Sequence, residues 1–519
     1  MSDETITFLI LAATVAVFVW DRLPVAVVAL GVALALWATG VLGIGEALAG
    51  FGDPTVIFIA SLFVVSEALD ATGVTAWAGQ ALVARAGESR ARVLVLTMLL
   101  CAALTALITV NGSVAALVPV VVVLAIRLGR EPSQLMMPLA FAAHAGSLLV
   151  LTGSPVNVIV SDAAHDAGAG RIGFFDFAVL GVPLLAGTIA IVVLFGERLL
   201  PHRAPLSMPA DFSSHARTLV GQYGLDAGDE LMTRSRGVAE VIVAPRSGLA
   251  GSVAFPGMVT ESGDLVVLAI QRRGEELAGR TRLEVGDTLL LQGSWGALDE
   301  HLDDPDVVVV DHPAVVRRQA VPLGPGAKQA LAVLGAVVAL LATGAVPPAA
   351  AGLLGAGALV VSGVLSIEQA YRGIAWTTVI LVAGMIPLST AMTETGAAER
   401  LAHGLVEAVG DAGPRVLLLG LVLVVLVLGQ LISNMATALI VIPIAVSAAS
   451  ELGVSPKPLL VAVCVAAAAA FLTPVATPAN LMVMEPGGYR FADYWKLGLP
   501  LLVLFGAVAV LLVPVFWPL

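Results

Sequence analysis

Apolar runs long enough to cross a bilayer recur along most of this chain, with short polar loops between them and one long polar block near the middle. The first part predicts spans near residues 5–20, 23–43 and 55–71, then a pair of shorter segments at 91–109 and 114–127. A span from 134 to about 163, broken at 153–157, and a last span at 177–197 follow. After the polar block the same order returns: 328–344, 347–365, 376–392, the pair 415–432 and 438–450, a broken span at 458–486, and 494–517. With each short pair taken as a re-entrant hairpin, each half holds five crossings. Five is odd, so the halves face opposite ways. The predicted fold is an all-α polytopic membrane protein of two inverted repeats, five spans plus one re-entrant hairpin each, with a small α+β insert. The boundaries are 1–200 for repeat 1, 201–326 for the insert and 327–519 for repeat 2.

Four sequence anchors share one offset of 323 residues. Thr55-Val56-Ile57 matches Thr378-Val379-Ile380, and Gly73 matches Gly396. Asn111 of Val110-Asn111-Gly112-Ser113 matches Asn434 of Ser433-Asn434-Met435-Ala436-Thr437. Asn157 of Gly153-Ser154-Pro155-Val156-Asn157 matches Asn480 of Ala476-Thr477-Pro478-Ala479-Asn480. The last two pairs interrupt apolar helices. A helix that ends inside a membrane exposes backbone groups that no water satisfies, so such ends survive only when buried in protein or lining a wet cavity. A returning helix presents its N-terminus, which attracts an anion without Lys or Arg, while unwound carbonyls suit Na⁺. Pro155, Pro474 and Pro478 account for the unwinding, because proline removes an amide hydrogen and clashes with the preceding turn. Asn and Pro also serve membrane helices as packing devices and kinks. Four anchors on one offset favour a site near the bilayer midplane, in the manner of secondary transporters.

Loop charge sets the orientation. With the insert in the cytosol, fourteen Lys and Arg lie on the short flanks and loops of that side, against Arg171, Arg400, Arg415 and Lys457 opposite. Hairpin 1 then enters from the cytosol, hairpin 2 from outside, and both termini are external. Arg92 and Arg127, at the two ends of the first short pair, favour a hairpin over two full crossings.

Composition narrows the class further. Hydrophobic residues make up 58% and charged residues 12%, about half the charge of a soluble chain. The net charge of −12 argues against nucleic acid as a partner. Cys101 and Cys464 both lie in apolar runs, so neither a disulfide framework nor a cysteine metal site is expected. The acidic start Met1-Ser2-Asp3-Glu4, with no small-residue cleavage site after the first run, reads as a retained span. Scarce lysine beside abundant Arg, Ala, Val and Gly suits a GC-rich bacterial genome, and hence a bacterial inner membrane.

His144 sits mid-span, and its repeat partner is Ala467, so it breaks the symmetry. It reads either as a coupling or substrate contact or as a neutral histidine bonded to a helix carbonyl. Glu67 and Asp70 lie near the inner end of the third span, where Glu67 reads as a helix-end or interdomain contact. Asp176 and Asp493, matched at the start of each last span, read as N-caps rather than ligands.

With these residues in hand, both membrane halves resemble the divalent anion/sodium symporter family of the ion transporter superfamily. Ser433-Asn434-Met435-Ala436-Thr437 is similar to its Ser-Asn-Thr hairpin signature, although Met435 stands where the signature has Thr. Residues 473–480 and 153–157 resemble its unwound loops. Val110 stands where Ser is expected, and hairpin 1 is shorter, with eight residues from Asn111 to Pro119 against nine from Asn434 to Pro443. The resemblance implies a homodimeric elevator carrying an oxyanion, a di- or tricarboxylate or sulfate. Its substrate contacts would come from Asn111, Gly112, Ser113, Ser433, Asn434, Met435, Thr437, Thr477 and Pro478. It also implies two Na⁺ sites, one drawing on Asn111, Gly153 and Asn157, the other on Ser433, Asn434, Thr473, Ala476 and Asn480.

The insert holds 17 acidic and 11 basic residues and no membrane-length apolar run. Residues 238–243, 265–270 and 288–293 read as strands and 295–302 as a short helix. Residues 235–311 resemble the TrkA-C domain, the C-terminal lobe of regulators of potassium conductance. That resemblance implies a self-pairing domain, either a bare dimerisation module or one that binds a nucleotide or other small anion. Three other functions stay in view. A Na⁺/H⁺ antiporter or arsenite-type exporter would want acidic residues at the breaks, where there are none. A ligand-gated channel would want a filter run like Thr-Val-Gly-Tyr-Gly, which is absent. An intramembrane enzyme would want a convergent catalytic pair.

Overall fold

The computed structural model describes residues 2–20, 22–85, 87, 89–203, 232–233, 236–277, 279–302, 304–311, 313, 316, 323–409, 413–474 and 476–519. Two compact units emerge from the backbone contacts: residues 1–67, 82–209 and 332–519 form one, and residues 68–81 with 210–331 form the other.

The first ten helices are α1 (Asp3–Trp20), α2 (Val25–Ala38), α3 (Ile44–Leu48), α4 (Pro54–Ala71), α5 (Val74–Arg85), α6 (Arg90–Leu107), α7 (Val110–Arg127), α8 (Met136–Gly146), α9 (Pro155–Asp166) and α10 (Ala178–Leu199). The insert contributes α11 (Trp295–His301). The second membrane half then runs α12 (Ala327–Thr343), α13 (Pro348–Val361), α14 (Ile367–Gly373), α15 (Trp376–Glu394), α16 (Ala397–Val409), α17 (Pro414–Leu431), α18 (Asn434–Leu452), α19 (Pro456–Ala467), α20 (Pro478–Met484) and α21 (Tyr494–Ala507), ending in α22 (Val513–Phe516). Eight helical segments among the described residues are long and apolar enough to cross a membrane. The fold is a predominantly helical, multi-pass membrane fold.

Helix for helix, α1–α9 and α12–α20 follow one order. The short helices α3 and α14 and the helices α5 and α16 have no place in the expected spans, being too short or too polar to announce themselves by hydropathy. Each broken span is two helices joined by non-α backbone: residues 147–154, with a 3-10 turn at Leu151–Gly153, link α8 to α9, and residues 468–474 and 476–477 lie between α19 and α20. Each break packs on a glycine of the following long helix. A Cβ at Gly181 of α10 would stand 2.6 Å from the Leu148 carbonyl carbon, and one at Gly498 of α21 would stand 2.8 Å from that of Phe471. Any side chain at either position would push the break away. Asp176 accepts from the Gly173 amide at 2.7 Å and Asp493 from the Arg490 amide at 2.8 Å, so both carboxylates hold the turns before the last long helices; neither side chain caps the helix itself, as the N-cap reading expected. Asp493 also pairs with Arg203 at 2.6 Å.

In the second unit, β1 (Arg236–Val243), β3 (Leu265–Arg272), β4 (Glu275–Glu276), β6 (Thr288–Ser294) and β7 (Val307–Val309) form an antiparallel sheet ordered β4-β3-β6-β1-β7. A two-stranded ribbon joins β2 (Val253–Ala254) to β5 (Thr281–Arg282). Val241, Ile270, Leu289, Leu291, Trp295 and Leu298 are part of its core. Gly237 lies under the Trp295 ring, where a Cβ would collide with it. A half-buried ion pair staples β3 to the turn before β6. Arg272 Nε donates to Asp287 Oδ1 at 2.7 Å, and its Nη2 donates to Oδ2 at 2.8 Å. The Arg272 guanidinium, helped by the Glu284 amide and opposed by burial, holds the Asp287 carboxyl below the ordinary carboxylate range. A carboxyl whose folded pKa is depressed stabilises the fold above its unfolded pKa, and that stabilisation fades as pH falls through the folded value. Pulse proteolysis of the insert is therefore expected to show its stability dropping as pH falls below about 4, with Asp287→Asn less stable at neutral pH and flatter in its pH dependence.

Candidate functional site

The two hairpin tips are built alike. In hairpin 1 the Thr109 hydroxyl caps α7 by accepting from the Gly112 amide at 3.1 Å. In hairpin 2 the Ser433 hydroxyl caps α18 by accepting from the Ala436 amide at 3.3 Å. These caps set the frame of each returning helix and shift the expected pairing by one residue. Thr109 and Ser433 are 324 apart, and so are Pro119 and Pro443. The structure therefore matches Ser113 to Thr437, and Asn111 to Met435 rather than to Asn434. The sequence difference in hairpin length disappears in this frame.

Five buried side-chain oxygens among the described residues lack a hydrogen-bond partner, and three lie in these two helix starts: Ser113 Oγ, Asn434 Oδ1 and Thr437 Oγ1. Ser113 and Thr437 are fully buried. Buried polar atoms are almost always paired, so three orphans at the two helix starts, Ser113 and Thr437 among them at matched positions, mark a place meant for something else. Asn111 is exposed, while Gly112, Ser433, Asn434 and Met435 are half-buried. By a half-turn about its last bond, Asn434 offers either an N–H donor or an oxygen.

The breaks are held by two buried asparagines. Asn157 Nδ2 donates to the carbonyls of Ser147 and Val150 at 2.7 and 2.9 Å. Asn480 Nδ2 donates to those of Ala470 and Thr473 at 2.8 and 3.0 Å. Each amide thus reaches carbonyls ten and seven residues behind it. Both side-chain oxygens are taken as well, by Cys464 Sγ at 3.1 Å from Asn157 and by His144 Nε2 at 3.3 Å from Asn480. Gly153 is buried so tightly that a Cβ would stand 2.9 Å from the Ser147 carbonyl carbon. Thr477 caps α20 by accepting from the Asn480 amide at 3.3 Å and lies 3.2 Å from His144 Nε2. Ala476 is buried and Pro478 exposed.

Each tip is tied to the break of its own half. Thr152 Oγ1 donates to the Ala106 carbonyl at 3.4 Å. On the other side Gln430, near the end of α17, does more: its Nε2 donates to Leu426 and Ala469, its Oε1 accepts from the Leu472 amide, and its carbonyl accepts from Thr473 Oγ1. Sequence reading passed over Gln430, although a lone amide inside an apolar helix is a visible signal. The returning helices also reach across: α7 packs on α20 and α18 on α9. Tyr494 OH donates to the Asn480 carbonyl at 2.6 Å, adding a further prop.

Residues 106–115, 147–157, 430–437 and 468–480 contain no charged side chain. No cluster of metal-ligating side chains occurs among the described residues. An anion there would meet helix N-termini, hydroxyls and amides, and a cation would meet carbonyls. What the two helix starts offer a solute is therefore capped N-termini and unfilled oxygens. The chain belongs to the divalent anion/Na⁺ symporter family: the family description "CitMHS: Citrate transporter" matches residues 15–466 and, in a second match, 338–518. It is a transporter and not an enzyme. The Escherichia coli (strain K12) protein called "Uncharacterized transporter YfbS" is 32% identical over an alignment of 613 positions that covers 100% of both chains. "Sodium/sulfate cotransporter 1" of Chlamydomonas reinhardtii is 27% identical over 261 residues, 47% of this chain and 28% of its own length. Among solved structures, the Alcanivorax borkumensis YdaH transporter aligns with a TM-score of 0.53 and 16% identity over 97% of this chain and 99% of that one, a likeness of fold alone.

Proposed function

We propose that this chain carries a small oxyanion, a di- or tricarboxylate or sulfate, coupled to Na⁺, between the tips of two re-entrant hairpins in inverted repeats. The observation that carries the reading is the set of unpartnered oxygens on Ser113, Asn434 and Thr437, in the first turns of two helices whose N-termini already attract negative charge. With no fixed cation nearby, a divalent anion needs co-ions to offset its charge, and Na⁺ supplies them. Each Na⁺ takes carbonyl oxygens from one tip and its neighbouring break, Gly153 in the first half and Thr473 and Ala476 in the second. Asn480 acts by aiming the Thr473 carbonyl, and Asn157 by holding the Ser147 and Val150 carbonyls of the break that carries Gly153. The protein works as a homodimer by an elevator motion, in a bacterial inner membrane. The family description names citrate and one relative's name includes sulfate, which keeps both substrate classes in play.

The test is uptake of labelled citrate, succinate and sulfate by purified protein in liposomes, with and without an inward Na⁺ gradient. One anion should be accumulated only with the gradient. Equal uptake without Na⁺ would remove the coupling, and transport of none of the three would remove the substrate class. The insert is cytosolic in this reading and tunes transport through a nucleotide or similar anion. A cysteine at Ser252 is then expected to resist a membrane-impermeant thiol reagent in intact cells while one at Ser2 reacts. The reverse pattern would invert the topology.

A further inference from the structure

The two asparagine staples share a feature that the repeat pattern does not predict. Each closes on carbonyls of its own half, yet each side-chain oxygen is satisfied from the opposite half. Cys464 of α19 donates to Asn157, 307 residues away in sequence, and His144 of α8 lies against Asn480, 336 residues away. The donors are not repeat partners of one another. The position matching Cys464 at the 323-residue offset is Phe141, and the one matching His144 is Ala467. Two unrelated residue types have been placed to do one job.

The geometry also sets what the His144 ring faces. Asn480 Nδ2 lies within 3.0 Å of two carbonyl oxygens, so the amide orientation is set and Oδ1 faces the imidazole. Oδ1 only accepts, so the contact at 3.3 Å is a hydrogen bond in the tautomer with the proton on Nε2, which the Thr477 hydroxyl also approaches at 3.2 Å. Phe471, inside the same break, packs edge-on against the His144 ring with centroids 5.6 Å apart. The imidazole is thereby held between the break it supports and the side chain it bonds.

We propose that His144 and Cys464 are positioning residues, each supplying from one half the hydrogen bond that holds the asparagine staple, and with it the backbone shape, of the other half's ion-binding break. The proposal rests on the Na⁺-coupled reading above. Without the donor, the asparagine oxygen is a buried acceptor with no partner. The amide then turns or draws in water, and the carbonyls it aims lose their spacing. A carbonyl oxygen has two lone pairs, so one can bond the asparagine while the other faces a cation. Thr473 is in that position, since its carbonyl accepts from Asn480 and its residue is a candidate Na⁺ ligand.

The test pairs a conservative and a disruptive variant at each position, in the full-length protein. His144→Gln keeps an N–H near the place of Nε2, and His144→Leu does not. Cys464→Ser keeps a donor, and Cys464→Ala does not. In liposomes, His144→Leu is expected to raise half-saturating Na⁺ about tenfold, leaving the anion KM at saturating Na⁺ near wild type, while His144→Gln behaves as wild type. A general packing defect would lower the maximal rate in both variants without separating the two constants. A second readout needs no transport: hydrogen exchange of the detergent-purified protein. His144→Leu should speed exchange in 468–480 and spare 147–157, and Cys464→Ala should do the opposite. If the conservative and disruptive variants match each other in both readouts, the donors do not hold the breaks and the proposal fails. If wild-type uptake proves independent of Na⁺, the coupling reading falls instead, and the exchange pattern alone decides the positioning claim.

Discussion

Asn434→Ala and Thr437→Val are each expected to weaken the apparent affinity for the transported anion about ten- to hundredfold. Both atoms are buried at the start of α18 with nothing to bond. A hydrogen bond to a charged group is worth about 1.5–3 kcal/mol, and about 1.4 kcal/mol is a factor of ten in binding. The helix dipole remains in both variants, so affinity falls without vanishing. Thr437→Ser keeps the hydroxyl and should stay close to wild type, which separates the lost bond from lost packing. Ser113→Ala, at the matched position of α7, should fall in the same direction. Concentration dependence of uptake in liposomes measures all four. If every variant transports with wild-type affinity, the unpartnered oxygens are packing features and the tips are not the anion site.

Gly153→Ala is expected to abolish Na⁺-driven uptake while leaving an inserted, folded protein. Its added methyl would meet three backbone atoms of Ser147, with the carbonyl carbon at 2.9 Å and Cα at 3.0 Å. Backbone cannot swing aside as a side chain can. The same Ser147 carbonyl accepts from Asn157, so the displacement breaks the staple that shapes the first break. Overpacking of this kind costs about 1–3 kcal/mol, enough to lower the melting temperature without unfolding a protein of this size. Gly335→Ala in α12 is the control, since a Cβ there meets nothing within 4 Å. It should transport normally and be slightly more stable, because alanine is the better helix former. Normal Na⁺-dependent uptake by Gly153→Ala would take the first break out of the ion pathway.

The span pattern and the two breaks were legible because they depend on local chemistry. Pro155 and Pro478 stand at the first position of α9 and α20, where a missing amide hydrogen costs nothing, so they mark where each half restarts its helix rather than where the preceding one stops. Glycine and asparagine at the same places then mark where backbone must pack closely or be recaptured. The pairing of Asn111 with Asn434 was a near miss for a physical reason. Helix frames are set by caps, and the caps are Thr109 and Ser433, one residue out of step with the asparagines. An offset taken from residue identity slips wherever one half has gained a residue in a loop. What the sequence could not disclose were partnerships across the halves. His144 announces itself as an ionisable residue in an apolar run, but the oxygen it bonds belongs to a residue 336 positions away. Gln430 is visible in the same way, and its partners in 469–473 are set only by how α17 packs beside the break.

The exchange of donors between the halves has a consequence for how this protein comes apart. Each half encodes its own loop and its own asparagine, so the halves look like two autonomous modules joined through an insert. At the centre they are not autonomous. Expressed alone, the first half would leave Asn157 without the Cys464 thiol, and the second would leave Asn480 without His144. On the positioning role proposed above, each fragment's break would lack one of its hydrogen bonds until the other half has arrived beside it. The break of the N-terminal half is then expected to gain its last hydrogen bond only once α19 has been inserted. The membrane part should then melt in one cooperative step, its two halves losing their loops together.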